Sequence, residues 1–384
     1  MQKKTKRAIQ TALGILATSA CVAAVCGNLS RETLLEWGGR LAMFSVGIQR
    51  PEGGAEALSG RLERQPSGGN TTTMPSTSGT GPSGTTTPPT TPPTEWENGI
   101  TWPALPSFPT PVIPDKGKGG TVLTEKMSAG SEFVGGVAVR NNSGITLDLN
   151  DLLTRKPDIH ITDTAEPQVL IMHTHTTECY LDYDAGFYND TDPTRTLDEN
   201  KNVVAVGEII AAQLRAAGIG VVHDKTVHDS PQYTGAYDRS KATVQKNLET
   251  YPTIQVVLDI HRDSIQRDAG SKVKPTAEIG GKKAAQMMIV LGMMNTASVP
   301  HPDWQENLSL AVRLQQEMHS RYEGVMRPVS LVGNARYNQQ LTHGSILVEM
   351  GSEANTLEEA MFSGQMLGRG LVKVLGDLKA LEGY

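Results

Sequence analysis

Aromatic residues are scarce in this chain. Phe, Trp and Tyr make up 5% of its 384 positions, and the hydrophobic share is 38%. Both are low for a chain that folds along its whole length, which excludes one uniform globular domain. Cysteine is nearly missing. Of the three, Cys21 and Cys26 sit in an apolar run near the start, leaving Cys179 alone. No C-x-x-C pair exists, and a lone thiol closes no intramolecular disulfide, so the fold must rest on its core. Basic runs are absent beyond the N-terminus, and a net charge of −6 argues against a general nucleic-acid binder.

What is present divides the chain into zones. "MQKKTKR" is basic, and "AIQTALGILATSACVAAVCGN" follows with an apolar core from Ala12 to Val25. That order reads as a signal peptide or a single membrane anchor. The run is slightly short of the ~20 residues of a robust span, and it lacks a clean cleavage site. The expectation is an uncleaved anchor over residues 1–28, with the rest on the extracytoplasmic side of the cell membrane. Residues 29–50 read weakly as an amphipathic helix at the membrane surface. From Pro51 the chain is dominated by Thr, Ser, Pro and Gly, as in "GGNTTTMPSTSGTGPSGTTTPPTTPPTEW". Such a stretch buries too little apolar surface to offset its ordering entropy. Residues 51–116 are expected to be a disordered tether, so the domain it carries reaches something away from the membrane.

Folded sequence is expected over residues 117–384. "FVGGVAVRNNSGITLDLNDLL" reads as a short hairpin around Asn-Asn-Ser-Gly, then a helix start. An alternation of strands and helices follows. "QVLIMH", "IGVVHD", "IQVVLDIH", "AAQMMIVLG" and "GSILVEMG" are apolar enough to be buried strands. "NKNVVAVGEIIAAQLRAAG", "GAYDRSKATVQKNLETY", "NLSLAVRLQQEMHSRY" and "TLEEAMFSGQMLGRGLVKVLGDL" carry helical periodicity. This grammar predicts an α/β domain with a mostly parallel sheet and helices on both faces. Functional groups of such sheets collect at the carboxyl ends of the strands.

Three strand ends carry chemistry. "VLIM" runs into His173, His175 and Glu178. "VVLDI" runs into His261, Arg262 and Asp263. "SILV" runs into Glu349. Histidines and carboxylates meeting at one edge are what a zinc hydrolase needs, with three protein ligands and one position for water. His175-Thr-Thr-Glu178 is H-x-x-E, and His261 is the natural third ligand. Glu349 is the candidate general base. His173 shares a face with His175 if the strand continues, either as a ligand or as a group that orients one. Arg262 and Asp263 form an ion pair or contact substrate. His160, His223, His228, His301, His319 and His343 receive no role, though His228 and His343 fall in loops able to approach the site.

The stretches "VLIMHTHTTECY", "NKNVVAVGE", "VVLDIHRDS" and "ILVEMGSEANTLEEA" resemble the stage II sporulation protein P family of endospore-forming bacteria, over roughly residues 120–384. That family is in turn similar to zinc-dependent N-acetylmuramoyl-L-alanine amidases, with a zinc-amidase or zinc-peptidase type of fold. The amidase pattern is histidine after the first strand, an acid opening the next helix, histidine after a middle strand, and glutamate in a late "VE-x-G" stretch. His175, His261 and Glu349 match three of the four. The acid opening the helix would be Asp198 or Glu199 in "LDENKN", so the carboxylate ligand is Glu178 by H-x-x-E or Asp198 by the amidase analogy, with Glu178 preferred. One departure is Cys179, where the family usually has serine; strand alternation points it away from Glu178.

The resemblance implies a cell-wall hydrolase of sporulation, acting in engulfment. Its substrate would be the amide between muramic acid and L-alanine of the stem peptide, and family members are also associated with cutting peptide cross-links. Zinc is the implied cofactor, and Arg262 would hold the oxyanion or a substrate carboxylate. The implied partners are peptidoglycan, the membrane, a lytic transglycosylase (stage II sporulation protein D) and a membrane protein that localises both. Two rival readings stand beside it: a zinc carboxypeptidase on the same fold, and a non-catalytic wall-binding scaffold.

Overall fold

The computed structural model describes residues 99–128, 133–296 and 300–381. The expected anchor at 1–28, the segment at 29–50 and most of the tether lie outside the described residues. Among the described residues no helix is long and apolar enough to cross a membrane.

In chain order, the first half holds β1 (Gly119–Glu125), β2 (Phe133–Val134), β3 (Val137–Asn142), α1 (Leu149–Thr154), β4 (Pro167–Met172), β5 (Phe187–Asn189), α2 (Val203–Ala216) and β6 (Gly220–His223). The second half adds α3 (Ala236–Thr250), β7 (Val256–Asp263), β8 (Gln266–Asp268), β9 (Ser271–Ile279), β10 (Lys282–Ala285), β11 (Met287–Gly292), α4 (Trp304–Arg321), β12 (Val329–Val332), β13 (Gly344–Ser352) and α5 (Leu357–Ala380).

Eight strands form the main sheet in the order β2-β3-β12-β11-β13-β7-β4-β6. β13, β7, β4 and β6 are mutually parallel. β11 runs antiparallel to β13, and β12 and β3 follow β11's direction. The sheet is therefore mixed, with reversals between β11 and β13 and, at the edge, between β2 and β3, where the sequence predicted mostly parallel pairing. A buried antiparallel strand covered on both faces is as uniformly apolar as a parallel one, so "MMIVLG" carries no mark of its direction.

The long strands are buried because their residues are. Every residue of β7 and β13 is buried. Alternate side chains divide between two layers. Val169, Ile171, Leu258, Ile260, Ile346 and Val348 join the large core with residues of α2, α4 and α5. Leu170, Met172 and Val257 face the other way, against Val244 and Leu248 of α3. Each fully buried aliphatic side chain contributes roughly 1.5–3 kcal/mol. Helix ends are set locally. The Asn202 side chain accepts from Val204 N at the start of α2. Thr356 and Glu359 form a reciprocal capping box at the start of α5.

A smaller sheet, β10-β9-β1-β5 with β8 on β9, adjoins the end of β13. Ser352 Oγ donates to the Val273 carbonyl at 2.6 Å. The Lys274 side chain, fully buried, pairs with Asp184 and Glu359 at 2.8 Å each.

Two further expectations change. The hairpin between β2 and β3 turns at Gly135-Gly136, with φ of +58° and +87°, rather than at Asn-Asn-Ser-Gly. Those left-handed angles favour glycine at both positions. The ordered chain also begins before residue 117. Leu105 and Phe108 pack on the core. Gln213 and Gln365 donate to the Pro103 carbonyl at 3.1 and 2.8 Å.

Candidate functional site

β4 ends at Met172, and the chain turns at once through H-T-H-T-T-E. The turn is tied down from several sides. Thr174 N and Oγ donate to the two oxygens of Asp259 on β7 at 2.8 and 2.7 Å. Thr176 Oγ donates to the carbonyls of His173 and Thr226. Thr177 Oγ donates to Asp229 at 2.7 Å.

Because the strand has stopped, His173 and His175 do not share a face. His173 points to the side of α2. Its Nδ1 contacts the Ile260 carbonyl at 3.0 Å and its Nε2 contacts His223 Nε2 at 2.9 Å. Gly207 of α2 makes room for this pair, since a Cβ there would stand 2.7 Å from His223 Nε2 and 2.9 Å from His173. Burial, then the neighbouring His223, pushes His173 down to about 3. His173 is thus an uncharged histidine with both ring nitrogens engaged away from the candidate site.

His175 swings to the opposite face, where α3 is the cover. Its ring centroid lies 5.2 Å from that of His261, at 87°. Glu178 Oε2 lies 3.5 Å from His261 Nδ1 and accepts from Arg262 N at 3.1 Å. Glu349 on β13 is the register partner of His261 on β7. These residues come from two adjacent strands and the loop after a third. All four are buried.

The electrostatics follow from burial and neighbours. Burial pulls His175 down to about 4, against the opposing pull of Glu178. Burial would raise Glu178, but the hydrogen bond from His261 and the Arg262 charge hold its carboxyl below the usual range. His261 goes well above its ordinary value. Burial lowers it, yet Asp259, 2.8 Å from Nε2, and Glu178 outweigh that. Burial and the Asp263 charge push Glu349 well above the usual carboxylate range, and its Oε2 has no hydrogen-bond partner.

Two imidazoles and a carboxylate are the donor types that zinc takes. Among the described residues no three His, Cys, Asp or Glu side chains already stand in metal-holding positions. The donor set fits the ion chemically. His175 Nδ1 is buried with no hydrogen-bond partner, and Glu178 faces His261 with an ionised carboxyl. Asp198, the alternative carboxylate, is exposed and accepts from Asn200 N in a local turn. It does not join this group.

The Arg262 guanidinium is held by backbone carbonyls. Its Nε donates to the Cys179 carbonyl at 3.1 Å and its Nη2 to the Thr194 carbonyl at 2.7 Å. Asp263 pairs with Arg327 at 2.8 Å rather than with Arg262. Cys179 Sγ donates to the Pro193 carbonyl, and burial pushes the thiol up to about 11. His228 is buried behind the site, between the His173 carbonyl and Thr243 Oγ1. His343 lies at the start of β13, the opposite edge, against Asp158.

Three residues near the site escaped the sequence reading. Asp259 had a signal, standing two before His261 on the same face of a strand. Arg327 follows β11 by a long connection and had none. Tyr233, from the loop before α3, had none either; its OH lies 3.0 Å from His175 Nε2.

The family model described as stage II sporulation protein P matches residues 125–372. The stage II sporulation protein P of Bacillus subtilis (strain 168) is 34% identical over 201 residues, covering 50% of this chain. The chain spans about half of that relative's length, 47%. Solved structures with similarity include the CwlD amidase of Clostridioides difficile in complex with the GerS lipoprotein. It is 11% identical with a TM-score of 0.35, over 56% of this chain and 99% of that one. The N-acetylmuramyl-L-alanine amidase Ami1 of Mycobacterium smegmatis is 13% identical with a TM-score of 0.31, over 56% of this chain and all of the other (100%). Such scores are too low to assign a fold. The family match stands apart from them, covers well over half the chain and contains His175, Glu178, His261 and Glu349; the chain belongs to the stage II sporulation protein P family.

Proposed function

We propose that this protein is an exported peptidoglycan hydrolase of sporulation, a zinc-dependent N-acetylmuramoyl-L-alanine amidase. The observation that carries the reading is the meeting of His175, Glu178 and His261 on one sheet face, with Glu349 beside His261. Family membership supports the sporulation setting.

In this reading His175, Glu178 and His261 would hold the zinc. The ion supplies Lewis acidity toward the amide carbonyl and a water whose pKa falls to ~7. Glu349 takes a proton from the attacking water and delivers it to the leaving L-alanine amine. Burial and the Asp263 charge raise its carboxyl, which suits the protonated form that delivers the proton; taking the proton first requires the ionised form. Arg262 acts as a positioning residue. Its N–H fixes Glu178, and its guanidinium holds the chain between Cys179 and Thr194. Asp259 orients His261 from behind.

An anchor at residues 1–28 and a Thr/Ser/Pro/Gly tether would let the domain reach a thick wall from the membrane. A lytic transglycosylase cutting the glycan strands of the same wall is the fitting partner, with a membrane protein that holds both in place. Digestion of purified peptidoglycan by the full-length chain, with products identified by mass spectrometry, tests the reading. Stem peptides with a free L-alanine amine are expected, and Glu349→Gln should release at least ~100-fold less. New amines at cross-link positions instead would make the enzyme an endopeptidase. Trimmed C-terminal residues would make it a carboxypeptidase, and wall binding without any product would make it a scaffold.

A further inference from the structure

We propose that Tyr233 is the positioning residue of His175, fixing which ring nitrogen that histidine offers to a metal. This rests on the zinc reading above. The Tyr233 ring stacks on His175 with centroids 4.5 Å apart and planes within 14°. Its OH lies 3.0 Å from His175 Nε2. One ring nitrogen is therefore engaged by Tyr233, while Nδ1 is buried without a hydrogen-bond partner. A histidine gripped at one nitrogen and stacked along its plane has one orientation and one nitrogen to give.

The grip is itself held. The Arg195 guanidinium lies 4.7 Å from the centroid of the Tyr233 ring, a cation–π distance. Arg195 pairs in turn with Asp229 and, at 3.5 Å, with Glu178. Asp229 accepts from Thr177 N and Oγ, and His228 N donates to Thr176 Oγ. The loop before α3 and the H-T-T-E turn thus form one cross-linked unit, with Tyr233 at its contact with His175.

The arrangement is matched on the neighbouring strand. Asp259 lies 2.8 Å from His261 Nε2, while Nδ1 of that ring faces Glu178. Asp259 thus stands beside His261 as an ion-pair partner, where Tyr233 meets His175 through its hydroxyl. Partners of this kind orient ligating imidazoles, and losing one weakens metal affinity about 10–100-fold.

Equilibrium zinc affinity of the full-length protein, measured by competition with a chromogenic chelator, tests the role without any turnover. Tyr233→Phe keeps the ring and removes the hydroxyl alone, and circular dichroism verifies its fold. Zinc Kd should rise at least ~10-fold, with the melting temperature of the metal-free protein unchanged. Wild-type affinity in Tyr233→Phe would overturn the positioning role and leave the zinc reading standing. A wild-type protein that takes up no zinc would overturn both.

Discussion

Glu349 and His261 face each other as register partners across β13 and β7, on the sheet face that α3 covers. Their surroundings push both toward the protonated state. Burial and the Asp263 charge raise the carboxyl. Asp259 and Glu178 raise the imidazole against the effect of burial. Without a metal this pair favours its protonated forms; two measurable consequences follow from it, and two more concern buried groups beside the site.

Replacing Glu349 by glutamine should abolish turnover by ~10²–10⁴-fold without unfolding the protein. The variant removes a carboxyl whose folded pKa is raised. Such a group adds stability below its unfolded value and loses it as pH rises through its folded value. Relative to wild type, the melting temperature of Glu349→Gln should therefore climb from pH 5 to pH 8. Parallel melting curves check it; a gap independent of pH would contradict the raised carboxyl.

Zinc binding at pH 7 should release protons. His261 sits well above its ordinary value in the metal-free protein, so it carries a proton that a ligating imidazole must lose. Calorimetry in two buffers of different ionisation enthalpy should report release of at least about one proton per zinc, from His261, with Glu349 able to add to it. Zero release would mean that His261 is already neutral.

His173 predicts acid sensitivity of its own. Its folded value is about 3, against 6.5 unfolded. Below pH 6.5 the unfolded chain binds the extra proton, so stability falls as pH falls toward 3. His173→Gln lacks that slope. In urea unfolding of the metal-free proteins, the stability advantage of wild type over the variant should shrink by about 2 kcal/mol between pH 7 and pH 5. An unchanged gap would contradict a neutral buried His173.

Cys179 should resist thiol reagents while the protein is folded. Its thiol is buried, donates to the Pro193 carbonyl and is pushed up to about 11. Labelling at pH 8 should be slow in buffer and fast in denaturant. Equal rates would show that the segment around it opens freely.

Much of this was legible in the sequence, for definite reasons. β4, β7 and β13 are long apolar runs that end in polar residues, so the sequence pattern alone aligns three strand ends. H-x-x-E brought Glu178 to His175 because a tight turn places those two positions together. The failures have reasons too. His173 was expected beside His175 by strand alternation, but the chain leaves strand geometry at Met172 and the period of two lapses. Arg262 reads as an ion-pair partner of Asp263 or a substrate contact, yet its guanidinium meets the carbonyls of Cys179 and Thr194, from a loop whose path no local pattern encodes. Tyr233 approaches from a separate loop, and nothing in "PQYTG" announces a histidine partner.

His175, Glu178, His261 and Glu349 are proposed as a metal-dependent centre that cuts the muramoyl–L-alanine amide. The most direct measurement follows free L-alanine amines released from purified peptidoglycan by the full-length protein. It is run as purified, after chelation, and after zinc is returned. The account predicts release, loss and recovery, in that order. Release that persists unchanged through chelation, at a metal content shown to be negligible, would contradict it.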